Sequence, residues 1–324
     1  MYPTDFPRFF PLSMYDLSIQ RMVKKLKQQD SVASIFRIGN INSPGISDID
    51  MLVVFEDGVE CSLNPLEDLS KTERYLFSHS LYGVSRRQFC DAQKYALFHN
   101  YNLLWGDELP IQRNDLSQEQ TRKLKTQIAL EYLIKMFINS TIERTYGIVR
   151  VRGLLVLVKA LSYDLEFLNV SSGRLFDSVQ TIINWRNNWF EGGPDKQTFR
   201  KWFLEFCVVL TAFLEIKLRK QAFHLPERAN VRIARNMVLE ASKTFGYTHV
   251  GTRLPAIFGG LGRKYFNVQH RLNTFQFRIP VATSDVPAVL HSRFMFVREM
   301  KCTNRETLPY FMPLTSSLNI FWQT

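Results

Sequence analysis

Apolar positions recur along the chain with two periods, and the switches between them predict its elements. From Met14 to Gln29 the residues Met14, Leu17, Ile19, Met22, Val23 and Leu26 form an apolar set at helical spacing, with Lys24, Lys25 and Lys27 mostly outward. Val32 to Ile38 is a short apolar run that stops at Gly39-Asn40, and Met51 to Phe55 is another. Both have the length and β-branched content of buried strands. Glu56-Asp57-Gly58 reads as a turn. Asn64-Pro65 opens a predicted helix to about Ser80, with Pro in its first turn and Glu67 and Asp68 suited to the N-terminal dipole. Arg86 to Asp91 and Tyr101 to Trp105 are predicted strands, and Trp105 to Leu109 closes a first domain.

Ser117 to Lys220 is predicted mainly helical, with patterns over Gln120 to Asn139, Ile142 to Leu168, Leu175 to Trp189 and Lys196 to Lys220. Gly192-Gly193-Pro194-Asp195 breaks the last two apart. From Leu225 onward strands and loops predominate, after one predicted helix near Ile233 to Lys243. Thr274 to Val281 and Phe294 to Arg298 are the extended runs, and Gly259 to Lys264 is a glycine-rich loop. No internal repeat or low-complexity stretch interrupts this organisation.

Charge sharpens the picture. The net charge is +11, and residues 225–324 carry 13 Lys and Arg against 5 Asp and Glu, a balance of +8. That asymmetry implies an anionic partner for the C-terminal part, RNA or another polymer among them. Near Gly259 to Lys264, aromatic and basic residues (Tyr265, Phe266, Arg271, Phe275, Phe277, Arg278) interleave as in single-strand nucleic-acid binders. Aromatics of a β core give the same pattern, which is the stronger reading. Four cysteines (Cys61, Cys90, Cys207, Cys302) have no metal-ligand spacing and read as reduced thiols. The first residues lack a charged and apolar leader pattern, and no apolar run approaches the ~20 residues of a membrane span. A cytoplasmic protein with no membrane partner is the expectation.

The candidate chemistry lies between Ser43 and Val53. Asp48 and Asp50 stand one residue apart at the mouth of the Met51 strand. Alternate strand residues share a face, roughly 6.5–7 Å apart at Cα, so both acids reach one site. Paired carboxylates there suit two hard cations about 3.5–4 Å apart. A strand that ends at Gly39 leaves backbone N–H groups for phosphate.

Gly39-Asn40 followed by Pro44-Gly45-Ile46-Ser47-Asp48-Ile49-Asp50 resembles the signature of the nucleotidyltransferase superfamily, the DNA polymerase beta-like fold. The motif is most similar to the bacterial small and aminoglycoside-type enzymes, and the likeness covers about residues 15–110. Asn40 replaces the usual Ser or Gly, and the spacer to Asp48 is slightly short. The resemblance implies an α/β (α+β) nucleotidyltransferase-fold catalytic domain at 1–115. It also implies a helical domain at 116–224 that walls the cleft, and a basic, β-containing C-terminal module fills 225–324. It implies Mg²⁺-dependent transfer of a nucleoside monophosphate from an NTP to an acceptor hydroxyl of a small molecule, RNA or protein, with release of pyrophosphate. Two Mg²⁺ (or Mn²⁺) ions would sit on Asp48 and Asp50, with Asp91 the first choice for the usual third carboxylate and Asp107 and Glu56 the lesser ones. Gly39, Asn40 and Ser47 would cradle phosphate, and Arg152 and Lys159, seven apart on one helix face, would reach it from the helical domain. The six histidines show no metal pair and no triad; His79, His99 and His249 are expected to be ordinary residues. The alternative is a nucleotide- or RNA-binding protein that reuses the fold without turnover.

Overall fold

The structure, a computed structural model, describes residues 1–95, 100–111, 115–226, 230–255, 258 and 262–314. Ten strands and ten helices follow one another among them. The first half runs β1 (Tyr2–Thr4), α1 (Leu12–Leu26), β2 (Val32–Ile38), β3 (Asp50–Phe55), α2 (Lys71–Leu76), β4 (Tyr82–Ser85), α3 (Arg86–Ala92) and β5 (Tyr101–Gly106). Helices dominate the middle: α4 (Gln118–Tyr146), β6 (Ile148–Arg150), α5 (Val151–Phe167), α6 (Arg174–Asn187), α7 (Trp189–Gly192) and α8 (Lys196–Lys220). The remainder is β7 (Asn230–Ala234), β8 (Met237–Ser242), β9 (Gly246–Gly251), α9 (Arg263–Leu272), β10 (Asn273–Pro280) and α10 (Ala288–Thr307). The chain is thus mixed α/β. It divides into two compact units that do not follow chain order. A sheet unit holds Arg8–Thr121 and the described residues from Val289; a helical unit holds Met1–Pro7 and Arg122–Ala288.

In the sheet unit four strands lie in the order β4-β3-β2-β5. β2 is antiparallel to β3 and β5, and β3 is parallel to β4. Both faces are covered, which is why β2 and β3 read as unbroken apolar runs in the sequence. Met51, Val53 and Phe55 join the core containing Tyr15, Ile19, Met22 and Leu26 of α1 and Leu76 of α2. Leu52 and Val54 join the opposite core with Phe36, Val84, Phe89 of α3 and Met300 of α10. The outer edge of β4 is closed by Phe311 and Met312: Gly83 N–H donates to the Met312 carbonyl (2.9 Å), and Met312 N–H donates to the Leu81 carbonyl (2.8 Å).

Gly106 ends β5 with φ +90°. A Cβ there would stand 2.1 Å from the Ala33 carbonyl oxygen, so glycine permits both the backbone angle and the close strand approach.

In the helical unit β1 pairs with β6 in parallel, and four strands lie in the order β7-β8-β10-β9. Alternate residues of β10 point inward. Phe275, Phe277 and Ile279 are all buried, and Phe277 and Phe275 meet Phe137 and Tyr146 of α4. Tyr265 and Phe266 are buried as well, so these aromatics serve a core instead of a stacking surface for bases. α8 starts at Asp195, whose carboxylate accepts from the N–H groups of Gln197 and Thr198.

Three predicted elements differ. Residues 86–91 are helical, because Ser85 and Gln88 form a capping box that starts α3. Residues 233–234 and 237–242 are strand, since Ala234 and Met237 pair across a two-residue turn and β8 runs parallel to β10. Residues 294–298 lie inside α10, where Leu290, Phe294, Val297 and Met300 are buried at helical spacing. The helix expected from Asn64 to Ser80 is confined to α2. Gly259, Gly260 and His99 lie outside the described residues. No helix among those described is long and apolar enough to cross a membrane.

Candidate functional site

The topology of the sheet unit brings three chain segments to one end. β2 and β3 are antiparallel with Ile38 opposite Asp50, so the end of β2 lies beside the start of β3. β3 and β4 are parallel, so the residues that enter β4 approach the same end. Gly39, the Asp48–Asp50 pair and Ser78-His79-Ser80 therefore converge, although up to 41 positions separate them in sequence.

The loop before β3 is held from both sides. Ser47 N–H donates to the Ser43 carbonyl (2.8 Å), which closes residues 43–47 into a tight turn with Gly45 at φ +86°. The Tyr15 hydroxyl, fully buried on α1, accepts from Gly45 N–H (2.7 Å) and donates to the Ser47 carbonyl (2.8 Å). Tyr75 of α2 donates to the Gly45 carbonyl (2.6 Å). α2 is fixed at its start by a capping box between Ser70 and Glu73, and the Leu76 carbonyl at its end accepts from Ile49 N–H (2.9 Å). These contacts leave Asp48 little freedom.

At the centre stand Asp48, Asp50 and His79, whose ligand atoms all lie within 4.8 Å of one another. His79 Nε2 is 2.8 Å from Asp50 Oδ1 and 3.9 Å from Asp48 Oδ2. Asp50 Oδ1 is shielded from water, and this ion pair is its partner. His79 Nδ1 faces the Ser80 carbonyl at 2.7 Å, and the Ser78 hydroxyl donates to Asp48 Oδ2. Side-chain exposures of 12% for Asp48, 35% for Asp50 and 33% for His79 leave the group reachable from solvent.

Burial pulls the His79 pKa down, but the hydrogen bond and charge of Asp50, the Ser80 carbonyl and the charge of Asp48 outweigh it and raise the imidazole to about 9. Tyr82, the first residue of β4, meets the His79 ring edge-on at 5.5 Å. Its phenol is pushed well above the usual range, first by burial and then by Asp50 and Asp48.

The other residues that sequence points to have different surroundings. Asp91 lies on α3, paired with Lys94 at 2.7 Å and facing Arg87 at 3.9 Å, and it is not part of the Asp48–Asp50–His79 group. The reason is the Ser85 cap: it makes 86–92 helical and turns Asp91 onto a helix surface. Glu56 and Asp107 both engage Arg86, with Glu56 doing so through two bonds of 2.7 and 2.9 Å. β4, the strand neighbouring β3, carries no carboxylate. Gly39 has φ +69°, and its N–H donates to the Asn100 carbonyl (2.8 Å) instead of pointing free toward a phosphate. Asn40 is exposed, with Oδ1 3.4 Å from Arg37 Nη2. Ser47 is buried and its Oγ accepts from Ser43 N–H (3.3 Å), the role of a turn cap. Arg152 and Lys159 lie on α5 of the helical unit; Arg152 is buried, and burial lowers the Lys159 pKa, with Arg186 adding to the effect.

Sequence reasoning passes over His79, Ser78, Tyr15 and Tyr75. A histidine between two serines carries no ligand spacing of its own, and only the parallel pairing of β4 to β3 delivers it to the acids. No protein-family model matches the chain, and no curated protein is significantly similar to it.

Proposed function

We propose that the chain is a divalent-metal-dependent nucleotidyltransferase that moves a nucleoside monophosphate from an NTP to an acceptor hydroxyl, with release of pyrophosphate. One observation carries this reading: Asp48 and Asp50, in the motif that resembles the DNA polymerase beta-like superfamily, converge at the open end of a sheet. Asp48 and Asp50 would hold the ion. A bound divalent ion neutralises phosphate charge and raises the acidity of a coordinated hydroxyl. The chain's own part is orientation: Ser78 fixes Asp48, Ser80 fixes the His79 ring, and Tyr15 and Tyr75 fix the loop that carries the acids. The donor set fits one divalent ion. It does not fit a pair of Mg²⁺ ions on three carboxylates, because none of Asp91, Glu56 and Asp107 belongs to the group.

That same observation favours a second reading, a nucleotide- or RNA-binding protein without turnover. The two separate on one experiment. The protein is incubated with each labelled NTP and no acceptor, total RNA or cell extract, and label transfer is followed. Metal-dependent labelling of any acceptor that Asp50→Asn abolishes supports transfer. NTP binding without labelling supports the second reading. The acceptor class is set by which mixture becomes labelled, and RNA is the one suited to the +8 balance of residues 225–324.

A further inference from the structure

The third member of the cluster is an imidazole, and that changes which metal the site selects. We infer that Asp48, Asp50 and His79 form a single-ion centre for a divalent transition metal of the Mn²⁺–Zn²⁺ class, with Mg²⁺ a poor occupant. The inference rests on the proposed function only for the use of the site; the metal assignment stands on these three side chains alone.

Spacing comes first. Donors about 2.1 Å from one ion lie about 3.0 Å apart when adjacent in an octahedron and about 3.4 Å apart in a tetrahedron. His79 Nε2 stands 2.8 Å from Asp50 Oδ1 and 3.9 Å from Asp48 Oδ2, which brackets both values. The Asp48 carboxylate has to close by about 0.5 Å for the tetrahedral spacing and about 0.9 Å for the octahedral one, a rotation open to a partly exposed side chain.

Orientation comes second. A metal-binding histidine commonly donates its other ring N–H to a carbonyl or carboxylate, which fixes the tautomer and aims the free nitrogen. His79 has that arrangement: Nδ1 faces the Ser80 carbonyl at 2.7 Å, and Nε2 faces both acids. Asp48 is supported likewise, because the Ser78 hydroxyl donates to Oδ2. Supporting bonds on two of three ligands distinguish this group from a chance meeting of charges.

Donor chemistry decides the ion. Mg²⁺ keeps several waters and takes oxygen ligands, whereas imidazole suits zinc and its first-row neighbours. Two carboxylates and one imidazole leave further positions open for water or for phosphate oxygens.

The test uses the native chain, stripped with chelator, and Mn²⁺ as the probe. Free Mn²⁺ gives a six-line paramagnetic resonance signal that falls on binding, and Mg²⁺, Co²⁺ and Zn²⁺ serve as competitors. One Mn²⁺ per chain is expected, displaced by equimolar Zn²⁺ or Co²⁺ but only by at least ~tenfold more Mg²⁺. His79→Ala should weaken Mn²⁺ at least ~tenfold with little change for Mg²⁺. His79→Asp should move the preference back toward Mg²⁺, and circular dichroism checks that each variant folds. Competition by Mg²⁺ at parity, Mn²⁺ binding by His79→Ala as tight as native, or no Mn²⁺ binding at all overturns the inference. The last result would mean that the trio is only an ion pair. Failure here is distinct from failure of the proposed function. Mg²⁺-dependent NTP transfer lost in Asp50→Asn would keep that function without this centre, and a Mn²⁺ site without nucleotide binding would keep the centre alone.

Discussion

Removing one oxygen atom from Tyr15 tests whether the loop that carries Asp48 is held as tightly as its contacts imply. Tyr15 is fully buried, and its hydroxyl bridges two backbone groups of that loop, Gly45 N–H at 2.7 Å and the Ser47 carbonyl at 2.8 Å. Tyr15→Phe keeps the ring in the α1 core and deletes both bonds. A typical hydrogen bond contributes about 1 kcal/mol net, and a buried group left without a partner costs about 1–3 kcal/mol. Two buried groups, the Gly45 N–H and the Ser47 carbonyl, each lose this partner, so about 2–6 kcal/mol is expected. Tyr75→Phe is the internal comparison. It removes two bonds, one to the Gly45 carbonyl and one from the exposed Arg8 N–H (2.9 Å), but at a half-buried position where water replaces the lost partner, so about 1 kcal/mol is expected. Urea titrations followed by tryptophan fluorescence give the stabilities, and Mn²⁺ titrations on the same samples give the site. Tyr15→Phe should lose more stability than Tyr75→Phe and weaken Mn²⁺ binding about tenfold. A Tyr15→Phe chain as stable as native, with unchanged ion affinity, would refute the idea that this bridge positions Asp48.

Three further outcomes are expected. Asp164 is buried on α5 and its Oδ2 has no hydrogen-bond partner; burial, with Glu131 adding to it, raises its carboxyl to about 8. An acid whose folded pKa lies above its unfolded value stabilises fully below about pH 4, and that contribution is lost as pH rises toward 8, on the order of 5 kcal/mol at most. Asp164→Asn should therefore match native near pH 4 and exceed it in urea resistance at pH 8.5; equal pH dependence of the two chains would contradict this. Gly106→Ala should cost about 3 kcal/mol or more, read as a lowered Tm, since its Cβ would collide with the Ala33 carbonyl at 2.1 Å and φ is +90°. Asp91→Asn should leave Mn²⁺ affinity unchanged and cost at most about 0.5 kcal/mol, because its partners Lys94 and Arg87 are exposed; a large loss of ion binding would restore Asp91 to the site.

Much of the fold is legible where local and tertiary forces agree. β2 and β3 are buried on both faces, so their apolar runs mark them without ambiguity, and α8 carries a helical period that matches the face it buries. In α1 Ile19, Met22 and Leu26 are buried as expected, whereas Leu17 is exposed and Tyr15 is buried. The departures come where a short apolar run fits both periods. Reading 86–91 as a strand overlooks the Ser85–Gln88 box, a local helix signal. Reading 233–243 as a helix misses a pairing that is non-local, since β10, thirty-odd residues downstream, decides it. The candidate site divides along the same line. The Asp48–Asp50 pair is local and announces itself, whereas His79 arrives through the β3–α2–β4 crossover, and nothing near it in sequence marks it as a ligand. Asp91 shows the converse. Its residue type suits the chemistry, but the helix it occupies carries it away from the group.

The central claim is that the Asp48–Asp50 pair couples a divalent ion to an NTP. Calorimetric titration of each NTP into the native chain and into Asp50→Asn, with metal and then with chelator, tests it most directly. At least one NTP should bind the native chain only when metal is present, and Asp50→Asn should lose that binding. Equal NTP binding by both chains, with or without metal, would contradict it.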